Sequence, residues 1–326
     1  MVVNDWKESQ ERNYRLTNDT AFARQEKNKN ESSIRERNEK IKMEFSITNS
    51  FQQLDIFSPN CTVRYWYRAG SGKKYVILLH GASCDHVTFE KQIDIFDDSY
   101  HVIVWDARCH GLSKLEASQK FDFKDMLDDC LRLFEIHQIE KAILIGQSMG
   151  GNLAQEIAYY HPEKVEKLVI IESTQNTQKF TWFERLTLKY ARKILSIYPW
   201  SWYLSSGIKL SGTTEYTCQY VKKCLSRMGK NRHIEIMLSL INVLHEDKNY
   251  RFGMPVLLLC GEESTAGNIK KIVKKWAAAD ENITLRMIPN ARHCANMDNP
   301  EDVNKKILEF IAIRNGENGE TQNVSR

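Results

Sequence analysis

The feature that most limits the fold is a series of short, nearly all apolar runs in the second half of the chain. They include AILIGQ (142–147), KLVIIE (167–172) and PVLLLC (255–260). Strands of a parallel sheet read this way because both of their faces are covered by helices. Helical patterns separate the runs, such as FDFKDMLDDCLRLFEIHQI before the first and SMGGNLAQEIAYYH after it. This alternation predicts an α/β fold with a mostly parallel, doubly wound sheet.

Five further runs complete the predicted sheet: FQQLDIF, CTVRYWYR, YVILLH, HVIVWD and TLRMIP. Residues 174–250 interrupt the alternation with amphipathic helical patterns and no convincing strand. They predict a helical cap inserted after the sixth strand, between core segments 51–173 and 251–314. The aromatic run YPWSWYL (198–204) within this cap either lines an apolar pocket or packs between cap helices.

Both ends of the chain are polar. Residues 1–50 form a charged N-terminal extension, and residues 315–326 form a polar tail. The sparse apolar residues of positions 1–45 define no core face, so we interpret the extension as a solvated helix, a docking arm or a partly disordered segment. A homodimer built on this extension is a further hypothesis, which deletion of residues 1–45 would test.

The composition argues against several classes of protein. The 46 basic and 42 acidic residues are spread along the chain, and no dense basic run is interleaved with aromatic residues, so nucleic acid is not an expected partner. The first residues lack the apolar segment of a signal peptide, and no later segment offers about eighteen uninterrupted apolar residues. We therefore expect a cytoplasmic protein without stable membrane insertion.

The cysteine pattern indicates neither a metal site nor a disulfide framework. The eight cysteines are scattered without a CxxC pair or a cluster of Cys and His. The glycines of GSGKK lack the spacing and the following Ser or Thr of a phosphate-binding loop. The expected partner is a small molecule, and neither a metal nor an organic cofactor is expected.

The sequence GQSMG places Ser148 between an apolar strand and a helix. A Gly-x-Ser-x-Gly pattern in this setting forms a sharp turn that lifts the serine hydroxyl above the end of the strand. The alternative interpretation is a small residue in a tight turn. We predict Ser148 as the nucleophile. A serine hydroxyl is a poor nucleophile without a base, so this prediction requires a base close by.

The base is predicted near the C-terminus. IPNARHCANMDNPEDV places His293 in the loop between the last strand and the last helix, at the same sheet edge as Ser148. Asn299 as N-cap and Pro300 in the first turn mark the start of that helix. We predict His293 as the general base, against the alternative of a surface loop histidine.

An acyl transfer reaction also needs hydrogen-bond donors for the oxyanion. The strand YVILLH is followed by Gly81 and Ala82, where the Ala82 backbone N–H could point into the site. The second predicted donor is the N–H of Met149, the residue after the nucleophile.

These motifs together resemble the α/β-hydrolase superfamily, specifically its cap-bearing esterase and lipase-like members. The Gly-x-Ser-x-Gly pattern, the His-Gly after the third strand, DARCHGLS after the fourth and the late histidine occur in the family's order over about residues 50–314. The resemblance implies a catalytic triad of serine, acid and histidine. In DARCHG this chain has Cys109 where relatives usually have Gly, and we interpret Asp106, Arg108 and His110 as a structural network of the turn.

The acid of the triad is the open question. Relatives usually place an Asp three residues after the glycine that ends the strand, and here the residue three after Gly261 is Ser264, which carries no charge. We favour Glu172, at the end of KLVIIE, as the acid, because it occupies a position that some relatives use for this role. Glu263 or Glu262 could instead reach the histidine. A third interpretation is that no functional acid exists and that all three are ordinary glutamates.

Two functions follow from these alternatives. The first is a serine hydrolase that cleaves a small or medium carboxylic ester through an acyl-enzyme on Ser148. Thioester, lactone, amide and carbon–carbon bond cleavage use the same groups, while epoxide hydrolysis and dehalogenation are disfavoured because the nucleophile is Ser and not Asp. The second is a catalytically weak relative that binds a small apolar ligand under the cap, and Ser264 is the residue that motivates it.

Overall fold

The computed structural model describes residues 50–178 and 182–313 of the chain. The predicted polar tail and, except for Ser50, the predicted N-terminal extension lie outside these residues. The described part contains a nine-stranded sheet in the order β1-β2-β4-β3-β6-β7-β8-β9, with β5 paired to β2. The strands are β1 Gln52–Ser58, β2 Cys61–Arg68, β3 Lys74–Leu79, β4 Tyr100–Trp105, β5 Lys114–Leu115, β6 Ala142–Gln147, β7 Val165–Ile171, β8 Val256–Gly261 and β9 Ile283–Ile288.

The predicted α/β fold with a mostly parallel sheet is confirmed. The neighbouring pairs from β4-β3 through β8-β9 are parallel, while β2 is antiparallel to β1, β4 and β5. Every residue of β6 and of β8 is buried, because helices cover both faces of the sheet at its centre.

The core helices alternate with the strands. They are α1 Phe123–Ile136, α2 Met149–Tyr160, α7 Ile269–Ala279, α8 Ala295–Asp298 and α9 Pro300–Ala312. As the sequence predicts, Asn299 caps α9 by accepting a hydrogen bond from the Asp302 N–H at 3.2 Å, and Pro300 begins the helix. In the described part of the chain, no helix is both long enough and apolar enough to cross a membrane.

Among the described residues between β7 and β8 there are four helices, and we call residues 182–243 the helical insertion. The helices are α3 Trp182–Ile197, α4 Trp200–Ser211, α5 Glu215–Met228 and α6 Lys230–Ser239, and a 3-10 turn, Leu240–Val243, follows them. The insertion follows the seventh strand and not the sixth. The strand count was wrong because β5 has only two residues, too few to show a periodic pattern.

Polar contacts hold the insertion against the core. The Tyr220 hydroxyl of α5 lies 2.9 Å from a carboxylate oxygen of Asp85 and 2.9 Å from the Thr88 hydroxyl. Arg227 forms an ion pair with Asp85 at 2.8 Å. These contacts join α5 to the loop that follows β3, the same loop that carries the predicted oxyanion donor.

Candidate active site

Ser148 stands at a strained turn between β6 and α2. Its backbone has φ 52° and ψ −117°, a conformation that non-glycine residues rarely adopt, and such strain is typical of serines lifted above a strand end. The flanking glycines leave room for this turn. A Cβ atom on Gly146 would lie 2.2 Å from the Gly150 carbonyl oxygen, and one on Gly150 would lie 1.9 Å from the Leu79 carbonyl oxygen.

This crowding predicts a large loss of stability for Gly150→Ala. The added methyl group would meet backbone of β3, which cannot move without disturbing the sheet. We expect the free energy of unfolding to fall by about 3 kcal/mol or more. Gly253→Ala is the matched control, since among the described residues, its two chain neighbours aside, no atom lies within 4 Å of its Cβ position. Urea denaturation of both variants measures the difference, and equal stability would contradict the close packing of this turn.

His293 lies beside Ser148, in the predicted loop after β9. Its Nε2 atom is 2.9 Å from the Ser148 Oγ atom. The Gln147 side chain donates to the His293 carbonyl oxygen at 2.9 Å and so fixes the loop against the turn. The Asp298 carboxylate stabilises the same loop by accepting from the Arg292 N–H at 2.9 Å.

Glu172 lies on the other side of the imidazole. It follows β7 directly, its backbone has φ 49°, and its side chain is fully buried. The Glu172 Oε2 atom is 3.5 Å from the His293 Nδ1 atom, which is buried and makes no hydrogen bond within the described residues. The carboxylate accepts hydrogen bonds from the Gly261 N–H at 2.5 Å and from the Ser264 hydroxyl at 2.7 Å.

The structure separates the alternative glutamates from the imidazole. Glu263 has a half-exposed side chain and lies 3.5 Å from a guanidinium nitrogen of Arg292. Glu262 is exposed. Of the three glutamates, Glu172 is therefore the one that the fold brings to His293.

Sequence reasoning missed the role of Ser264. It treated this position as an empty acid site, whereas the hydroxyl donates to the Glu172 carboxylate. The available signal was the pairing of a glutamate after β7 with a short hydroxyl residue in the loop after β8. Burial, together with the Glu172 charge, also holds the pKa of the neighbouring Cys260 thiol well above its usual range.

The residues predicted as oxyanion donors lie beside Ser148. Ala82 follows β3, and a Cβ atom on its neighbour Gly81 would lie 3.2 Å from the Ser148 Cβ atom. Met149 is the first residue of α2, so its N–H belongs to the helix N-terminus, where backbone donors favour negative charge.

Ser148 and His293 open into a cavity of about 150 Å³. The core contributes the loop from Gly81 to Cys84, and the helical insertion contributes side chains of α4, α5 and α6. Of the aromatic run 198–204, Tyr203 lines this cavity, while Trp200 stacks on Tyr203 with ring centres 5.3 Å apart and Trp202 is exposed. Part of the aromatic run therefore lines the pocket, and part of it packs against other residues of the insertion.

Asp106 and Arg108 of DARCHG form hydrogen bonds and ion pairs that support the turn after β4. The Asp106 carboxylate accepts from the backbone N–H groups of His86 and Leu112 at 2.8 and 2.6 Å. Arg108 binds both carboxylate oxygens of Asp129 at 2.7 and 3.0 Å. These contacts hold the turn after β4 together.

The same turn contains the position where this chain has Cys109 in place of the Gly that relatives usually carry. Cys109 has φ 69°, in the left-handed region that favours glycine, so this chain places a side chain where glycine would be unstrained. Next to it, burial lowers the pKa of His110 to about 3. Across residues 50–178 and 182–313, no group of three His, Cys, Asp or Glu side chains is arranged to hold a metal ion.

Comparison with known proteins identifies the family. Residues 70–300 match the family model described as serine aminopeptidase, S33. The chain belongs to this family of α/β-hydrolases. Family membership supports an enzyme that catalyses hydrolysis.

Proteins similar to this chain have names that indicate different substrates. The (E)-2-((N-methylformamido)methylene)succinate hydrolase of Acinetobacter baylyi is 22% identical over 262 residues, which cover 78% of this chain and 95% of the relative. Epoxide hydrolase 3 of Xenopus tropicalis is 24% identical over 281 residues, with coverage of 76% and 75%. The solved enol-lactonase of Burkholderia xenovorans superposes with a TM-score of 0.62 at 16% identity, covering 80% of this chain and all of that one. These similarities establish the fold and leave the substrate open.

Proposed function

We propose that this hydrolase is a serine enzyme that cleaves a small or medium carboxylic ester through an acyl-enzyme on Ser148. One observation carries the proposal: the Ser148 Oγ atom lies 2.9 Å from His293 Nε2, and Glu172 Oε2 lies 3.5 Å from His293 Nδ1. A nucleophile, a base and an orienting acid in this order form the arrangement that activates a serine.

In the first step, Ser148 Oγ attacks the ester carbonyl carbon while His293 Nε2 takes the hydroxyl proton. The N–H groups of Ala82 and Met149 stabilise the negative charge that develops on the carbonyl oxygen. His293 then gives the proton to the leaving alkoxide, and the acyl group stays on Ser148. Glu172 stabilises the positive imidazolium through both of these events.

In the second step, His293 takes a proton from a water molecule, and the resulting hydroxide attacks the acyl carbon. The carboxylic acid leaves when His293 returns the proton to Ser148 Oγ. The hydrogen bonds from Gly261 and Ser264 keep the Glu172 carboxylate in place in both steps.

The nucleophile narrows the reaction class. An acyl-enzyme on serine suits esters, thioesters, lactones, amides and activated carbon–carbon bonds. Opening an epoxide by this route would leave an alkyl ether on Ser148, which the carbonyl-directed second step cannot hydrolyse. We therefore do not propose epoxide hydrolysis for this protein, although an epoxide hydrolase is among the similar proteins. The cytoplasmic location and the small-molecule substrate stay predictions.

A fluorophosphonate probe separates this function from the ligand-binding alternative. An activated serine attacks the phosphorus atom, expels fluoride and retains the phosphonyl group. We expect the wild-type protein to gain the mass of one probe minus HF on the peptide that contains Ser148, and Ser148→Ala to gain none, as measured by mass spectrometry. Failure of the wild-type protein to react would favour the catalytically weak relative that binds a ligand.

A further inference from the structure

Three polar side chains, joined by hydrogen bonds, line the cavity next to Ser148. The Ser83 Oγ atom lies 2.7 Å from His233 Nδ1, and the Tyr203 hydroxyl lies 2.5 Å from His233 Nε2. Ser83 belongs to the loop after β3, whereas Tyr203 and His233 belong to α4 and α6 of the helical insertion. All three line the same cavity as Ser148 and His293. The proposed mechanism does not use any of them.

His233 is uncharged at neutral pH. Its side chain is buried, and this burial lowers its pKa to about 4. Burial also raises the pKa of the Tyr203 hydroxyl, which therefore keeps its proton. The three groups form a neutral chain of hydrogen bonds.

The three hydrogen-bonded side chains have one spare proton that can be donated to a ligand. A neutral imidazole has one N–H donor and one acceptor nitrogen. If Nδ1 carries the proton, it donates to Ser83, Tyr203 donates to Nε2, and the Ser83 hydroxyl proton is left over. If Nε2 carries the proton, the Tyr203 hydroxyl proton is left over. In either tautomer one hydroxyl keeps a proton that the chain itself does not use.

The rest of the cavity is suited to an uncharged group. Among its lining residues in the described part of the chain, none is Lys, Arg, Asp or Glu, and Val221, Leu225 and Met237 are apolar. The nearby Arg227 is paired with Asp85 at 2.8 Å. A charged substrate group would lose its hydration here without an ionic partner, which is costly.

We propose that Ser83, His233 and Tyr203 form a specificity site that binds an uncharged oxygen atom of the substrate's acyl group. The substrates would be small, neutral esters whose acyl chain carries a second oxygen as an ether, hydroxyl or carbonyl group. The acyl side is favoured because Ser83 adjoins Ala82, the proposed partner of the ester carbonyl oxygen. The volume agrees, since a cavity of about 150 Å³ holds a molecule the size of benzene. This inference rests on the proposed function.

Two esters of equal size test the oxygen preference. p-Nitrophenyl methoxyacetate has an oxygen where p-nitrophenyl butyrate has a methylene group. The ratio of their kcat/KM values, divided by the ratio of their hydroxide-catalysed rate constants, removes the difference in intrinsic reactivity. We expect the wild-type enzyme to prefer methoxyacetate by about tenfold or more, the effect of one added hydrogen bond.

Two variants test whether Ser83 and Tyr203 cause this preference. Ser83→Ala and Tyr203→Phe each remove one hydroxyl, and at least one of them is expected to reduce the corrected ratio to near unity. Tyr216→Phe is the matched control, because Tyr216 lies in the same insertion but donates to Glu90 outside the cavity.

The outcomes separate this inference from the proposed function. Turnover that depends on Ser148 but shows no oxygen preference would overturn the specificity site alone. A preference for the oxygen-containing ester that survives in both Ser83→Ala and Tyr203→Phe would also overturn the specificity site alone. If no ester is hydrolysed and the fluorophosphonate does not label Ser148, the proposed function is wrong, and the specificity site fails with it.

Discussion

Replacement of Ser148 by alanine is expected to reduce ester hydrolysis by about 10⁴-fold or more, as loss of a serine nucleophile does in enzymes of this kind. The substitution removes one oxygen atom and leaves the turn intact, because alanine adopts φ 52° at a cost close to that of serine. His293 keeps its backbone hydrogen bond from Gln147. The loss should therefore fall on kcat and leave the melting temperature nearly unchanged.

The measurement is the hydrolysis of p-nitrophenyl esters of increasing acyl length by wild-type and variant protein. Ser205→Ala is a suitable control, because Ser205 is exposed on α4 and the same chemical change occurs there away from the cavity. More than a tenth of the wild-type rate in Ser148→Ala would show that another group is the nucleophile. A wild-type rate no higher than that of Ser148→Ala would remove the esterase assignment for these substrates.

The sequence could place Ser148 and His293, the proposed nucleophile and base, because local signals position both residues. The turn at Ser148 requires an apolar strand, closely packed glycines and a helix, and all of these are consecutive in the chain. His293 follows from the apolar run of β9 and the strong cap of α9 at Asn299. Parallel strands then bring both loops to one edge of the sheet.

The sequence favoured Glu172 as the acid but left Glu263 and Glu262 open, because the contacts that position Glu172 are not local. Glu172 meets Ser264 across 92 residues, and this contact exists only because β7 and β8 are neighbours. Their register pairs Ile171 with Leu259, which places the residue after β7 beside the end of β8. The run KLVIIE predicts a strand, but it does not say which strand lies next to it.

Helix α4 could not be predicted from the sequence pattern either. Its first residues are aromatic and follow Pro199, so they read as an aromatic cluster and not as a helix with one apolar face. The contact between Ser83 and His233 joins residues 150 positions apart. Helix α4 and the contact between Ser83 and His233 both depend on how the insertion packs against the core, which the local sequence does not specify.

The second large effect is expected at Glu172. Glu172→Gln keeps the size of the side chain and removes its charge, so the imidazolium formed in each step loses its stabilising partner. An amide in this position must also accept from the Gly261 N–H and the Ser264 hydroxyl, and its NH₂ group cannot accept. We expect kcat to fall by about 10²- to 10⁴-fold.

Glu263→Gln is the matched control, since it makes the same chemical change on a half-exposed side chain that lies beside Arg292. Its kcat should stay within about twofold of the wild-type value, because a surface ion pair contributes little. Melting temperatures of both variants distinguish a lost acid from a lost fold. A larger loss in Glu263→Gln than in Glu172→Gln would move the acid to the loop after β8. Equal, small losses in both would mean that His293 works without a carboxylate partner.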